Sequence, residues 1–217
     1  MSEQESDNKA ILYVLAILAI LGGFYAIEKF SPDEIIPLTG EAVDPDLLLS
    51  NSRTYYKEHA YGRSISNLDQ AIVSIRNIEE DIDEQGKALL EEVIIDLEIV
   101  KKELEADSLS IEDLNISYSE ALNALTEAEL KVTRALFESN HDGQAIVALK
   151  YGMMHLKNTL NYTSGAKKEY EIHIYEEIDS LLKNKSMPHD QMIKKLDEIM
   201  IELDSLIADN LHSGSKK

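Results

Sequence analysis

Residues 44–140 read DPDLLLSNSRTYYKEHAYGRSISNLDQAIVSIRNIEEDIDEQGKALLEEVIIDLEIVKKELEADSLSIEDLNISYSEALNALTEAELKVTRALFESN. The stretch opens on Asp44-Pro45, a helix-starting pair, and no further proline follows until Pro188. Apolar residues recur at spacings of three and four, the period of an amphipathic helix rather than of a strand. Ile65, Leu68, Ile72, Ile75 and Ile82 make one heptad-like ladder. Leu90, Val93, Ile94, Leu97, Val100 and Leu104 make a second. A third holds Leu114, Tyr118, Ala121, Leu125, Ala128, Val132, Ala135 and Leu136, and Ser110-Ile-Glu-Asp113 before it resembles a capping box.

The same pattern continues toward the C-terminus. Ala145, Ala148, Leu149, Met153, Leu156 and Leu160 form a fourth ladder, Tyr170, Ile174, Ile178, Leu181 and Leu182 a fifth, and Met192 to Leu206 a sixth. Turns are expected near Gly86, Gly143 and Ser186, giving three helical hairpins. The reading is an all-α, antiparallel bundle of five to six helices with coiled-coil-like seams. A short solenoid of hairpins is the other arrangement this pattern allows.

Upstream the chemistry changes. AILYVLAILAILGGFYAI, residues 10–27, carries no charge. At 1.5 Å per residue a helix of this length spans about 27 Å, near the thickness of a bilayer's hydrocarbon. Lys9 and Lys29 bracket it, and Tyr13, Phe24 and Tyr25 lie near its ends. The acidic start MSEQESDNK and the large side chains at the candidate cleavage sites argue against a removed signal peptide. The expected organisation is an acidic tail at 1–9, a single transmembrane anchor at 10–29, a proline-containing linker at 30–44, an acidic helical domain at 45–209 and a flexible tail at 210–217. The helical domain is expected on the extracytoplasmic side, where Asn115, Asn161 and Asn184 would be glycosylation acceptors.

The formal net charge of the 217-residue chain is −20. Such a field repels nucleic acid, and no basic patch offsets it. Without cysteine there are no disulfides, zinc thiolates or cysteine nucleophiles. No phosphate loop, nucleophile elbow or metalloprotease histidine pair is present, and no carboxylate stands out by an apolar setting, so no enzyme activity and no cofactor are expected.

Three constellations remain. Glu169, His173 and Glu177 fall at steps of four on one helical stripe, a spacing that suits a carboxylate–imidazole metal site, although a charged solvated face has the same letters. Met153, His155, Met187, His189 and Met192 combine thioethers with imidazoles, which suits copper, but methionine also fills cores. Tyr55, Tyr56 and Tyr61, with His59, form an aromatic group suited to docking a partner or to closing the end of the bundle. Helix faces such as Val93-Ile94-Ile95 with Leu97 and Ile99-Val100 are wider than one seam needs. The functional expectation is a membrane-anchored bundle that works by binding protein partners or a second copy, as scaffold or accessory subunit. The alternative is a membrane-tethered domain that binds a metal or small ligand.

Overall fold

The computed structural model describes residues 44–80, 82, 84–184 and 186–213. The acidic tail, the expected transmembrane helix at 10–29 and residues 30–43 of the linker lie outside the described residues. Among those described, no helix is long and apolar enough to cross a membrane.

All regular structure among the described residues is helical. The helices are α1 (Asp44–Lys57), α2 (Tyr61–Glu80), α3 (Glu84–Glu105), α4 (Ile111–Glu138), α5 (Asp142–Thr159), α6 (Gly165–Lys183) and α7 (His189–Ser213). That is seven rather than the expected five to six, because the stretch from Pro45 to Asp81, read as one helix open to an interruption at Gly62, forms two. The break lies at Glu58–Ala60, and Gly62 sits inside α2. His59 turns left-handed there (φ 57°). The Ala60 amide reaches the Tyr55 carbonyl at 2.8 Å and the His59 amide the Tyr56 carbonyl at 2.9 Å. This is the paired bonding of a Schellman C-cap.

The same device ends two more helices. Asp107 (φ 52°) ends α3 and Asn140 (φ 59°) ends α4. The Ser108 amide bonds the Glu103 carbonyl at 3.0 Å, and the His141 amide bonds that of Leu136 at 2.8 Å. The turns expected at Gly86 and Gly143 therefore shift. Both glycines lie within first turns, of α3 and α5, and before α5 it is Asn140 that takes the left-handed position. The start of α4 follows its sequence more closely. Ser110 Oγ accepts from the Asp113 amide at 3.0 Å, while its hydroxyl donates to the Asp113 carboxylate at 2.7 Å.

The helices close into two four-membered rings that share α4. In the first, α1 packs on α2, α2 on α3, α3 on α4 and α4 back on α1. In the second, α4 packs on α5, α5 on α6, α6 on α7 and α7 back on α4. Side-chain bonds give the directions in the second ring. Ser119 meets Lys167 and Asn123 meets Glu171, so α4 and α6 run parallel. Arg134 meets Asp197 at 2.8 Å, with α7 running the other way.

This sharing explains the burial of α4. Residues 121–130 are all buried, so no side of that stretch faces water. The expected ladders supply the core: Leu68, Ile72 and Ile75 on α2, Leu90, Leu97 and Val100 on α3, Leu149 and Leu156 on α5, Ile174 and Ile178 on α6, and Leu196, Ile199 and Leu203 on α7. Ala135, expected inward, is only half-buried.

Candidate functional site

The two rings are joined across α4 by a polar seam between α1 and α5. Asp46, in the first turn of α1, and His155 of α5 are both buried, with His155 1% exposed. Their Oδ1 and Nδ1 atoms lie 2.7 Å apart, and Asn158 Nδ2 donates to the second carboxylate oxygen. A carboxylate oxygen accepts such a bond when the ring nitrogen facing it carries the hydrogen. His155 Nε2 lies in the interior with no hydrogen-bond partner among the described residues.

Further along the seam, the Arg53 guanidinium stacks over the Tyr162 ring at 5.1 Å. Tyr162 meets Tyr118 edge-on at 5.9 Å, and the Tyr118 hydroxyl bonds Ser52 at 2.6 Å. Burial pushes the Tyr162 phenol up to about 12, and Tyr118 higher still. A cavity of about 200 Å³ opens beside Asp46, lined by Leu47, Ser50, Asn158, Asn161 and Tyr162. His155 was expected among the sulfur and imidazole ligands; the structure commits its Nδ1 to a carboxylate instead.

Inside the second ring the interior is also polar. Asn123 of α4 donates to Glu171 of α6 at 3.2 Å, Thr163 donates to its other oxygen, and Lys167 donates to Ser119 at 3.0 Å. Burial raises the pKa of Glu171 and of Glu120, and lowers that of Lys167. Glu129 is the extreme case. It is fully buried, neither carboxylate oxygen has a hydrogen-bond partner among the described residues, and burial pushes its pKa up to about 9. The expectation that no carboxylate has an apolar setting is thereby corrected. A signal was present: Glu127 and Glu129 sit in Ala121–Leu130, where apolar residues fall on every side of the helix and no solvent stripe remains.

The stripe on α6 is only partly a cluster. His173 and Glu177 converge with Glu202 of α7, with one ligand atom from each lying within 4.8 Å of the others. Glu169 does not join them. Glu202 was missed because its partners lie on another helix, and only packing reveals the pairing.

The methionine and histidine set divides. Met187, His189 and Met192 line one cavity of about 180 Å³ with Phe137, Asp142, Ile146 and Leu182, at the end of the second ring. His189 Nε2 lies 3.1 Å from Asp142. Met153 packs against the core and His155 lies in the seam, so neither lines that cavity.

The tyrosines meet at the α1–α2 turn. Tyr56 and Tyr61 rings lie 5.7 Å apart, and His59 Nδ1 is 3.0 Å from the Tyr61 hydroxyl. Tyr56 donates to the Leu109 carbonyl, tying this turn to the α3–α4 connection. Arg63 covers the Tyr55 ring at 5.6 Å. The cluster's bonds are thus internal ones that close an end of the first ring.

The outer face of α2 and α3 is different in kind. Val73, Ile95 and Ile99 are 50%, 55% and 48% exposed. Ion pairs from Arg76 to Glu98 at 3.0 Å and from Lys101 to Asp69 at 2.6 Å set the helix register. That register places Val73 level with Ile99, and Ile95 lies one turn away on α3, so the α2–α3 hairpin carries a ridge of three exposed apolar residues among charged ones.

Comparison of the chain with protein-family models, with curated proteins and with solved structures finds no match.

Proposed function

We propose that the protein is a membrane-tethered interaction module, held by residues 10–27 as a single transmembrane helix, with its helical domain extracytoplasmic. The α2–α3 ridge carries this reading. An exposed valine and two exposed isoleucines within about one turn of each other along a helical hairpin leave apolar area in water that a partner helix would cover. The surroundings define the partner's chemistry. Glu91, Glu92, Asp96 and Glu98 share α3 with the ridge, so the fitting partner is an amphipathic helix with basic flanks. A chain of net charge −20 disfavours pairing with its own copy through such a face.

The test is photo-crosslinking in native membranes, with the probe at Ile95 of the full-length chain. The expected product is one discrete hetero-adduct, lost when Ile99→Asp is introduced and kept with Ile201→Asp, a more exposed isoleucine on α7. Recovery of the uncrosslinked chain alone would overturn the proposal.

A further inference from the structure

We propose that His173, Glu177 and Glu202 form a divalent-metal site of the zinc class, which clips α7 to α6. This goes beyond the interaction reading and uses none of the residues of the ridge.

The site is built from two elements. His173 and Glu177, one helical turn apart on α6, project the same way. Glu202 reaches them from α7, the helix packed against α6. One imidazole nitrogen and two carboxylate oxygens lie within 4.8 Å of one another. Tetrahedral zinc with bonds near 2.1 Å requires ligand atoms about 3.4 Å apart, a difference that side-chain rotation closes.

Two carboxylates face each other, and neither has a hydrogen bond or ion pair among the described residues. Glu202 Oε2 is also shut off from solvent with no donor to satisfy it. Lys195 is the cation whose field reaches both acids, and its ammonium is bonded to Glu198 at 2.6 Å. His173 is exposed and carries no hydrogen bond among the described residues, so a ring nitrogen is free to coordinate.

The donor set narrows the metal. An imidazole disfavours magnesium and calcium, and the absence of sulfur disfavours copper(I). Three protein ligands at a partly exposed position leave a coordination place for water, as in open zinc sites. Because the ligands come from two helices, binding is linked to their packing, and the metal raises stability by mass action.

Cobalt(II) is a suitable probe, added to the purified full-length protein in detergent micelles. The expected result is one equivalent bound per chain with a visible ligand-field band, displaced by zinc, and a higher melting temperature. Glu202→Gln and His173→Ala should each weaken binding at least tenfold without loss of helical circular dichroism. Glu202→His, which supplies another ligand, should retain it, and Glu169→Gln should leave it unchanged. Equal binding by the unaltered chain and by a His173→Ala, Glu177→Gln, Glu202→Gln triple variant would overturn the site. Loss of binding on Glu169→Gln alone would do the same.

Discussion

Glu129 shows how much one side chain costs when its helix has no wet side. An ionised carboxylate in the interior forfeits hydration, and none of the neighbouring groups replaces it. The proton is therefore held up to about 9, against an ordinary value of 4.5. The sign of the linkage follows. Below the ordinary value both folded and unfolded chains are protonated and stability is full. As the pH climbs from there toward the folded value, the unfolded chain sheds the proton while the folded one keeps it, and stability falls. At neutral pH the loss is about 3 kcal/mol. Glu129→Gln is expected to remove most of that slope. Urea denaturation at pH 5 and pH 8 should show a larger gain for the variant at the higher pH; parallel curves would mean the carboxyl is not neutral in the fold.

Single helices carry a second lesson, in the glycines. Gly62 and Gly143 lie in helices with open space where a Cβ would stand. Alanine at either position is expected to add roughly 0.5–1 kcal/mol through backbone entropy and helix propensity. Gly152 is different. A Cβ there would meet Glu129 Cβ at 3.3 Å and the Thr126 carbonyl at 3.4 Å, because α5 lies close against α4. Gly152→Leu is expected to cost about 1–3 kcal/mol or more by forcing the helices apart. Thermal melts of the three variants would order them: Gly143→Ala and Gly62→Ala above the parent, Gly152→Leu below it. A stable Gly152→Leu protein would mean that the α4–α5 contact is looser than described.

The whole molecule is organised by its shared helix. The described residues all fall within one compact unit, Ile36–Lys217. α4 supplies a wall to each ring, so neither ring can lose its packing without stripping one side of α4. Far-ultraviolet dichroism, which reports all the helices, and tyrosine absorbance, which reports the tyrosines of both rings including Tyr118 and Tyr162 at their junction, should then melt together as one transition. Two separated transitions would show that the rings are independent. The buried Asp46–His155 pair acts at the same scale. It lies where α1 and α5 cover α4 together, so it joins elements far apart in sequence.

How much of this was legible beforehand depends on the range of the interaction. Helix type, most inward faces and the Ser110 cap were readable, because each rests on residues within a turn or two of one another. Apolar spacing, proline placement and capping chemistry are local. The positions of the breaks were less so: the α1–α2 break falls at His59 rather than at Gly62, and Asn140 rather than Gly143 takes the left-handed position of its turn. The ring closure and the pairing of Asp46 with His155 were decided by tertiary structure alone, whereas the burial of α4 and of Glu129 left a trace in the apolar residues on every side of 121–130. The addition of Glu202 to His173 and Glu177 was likewise decided by tertiary structure. An amphipathic pattern tells which face of a helix is hidden, but not which helix hides it. Desolvation and cross-helix ligation exist only once the neighbours are chosen.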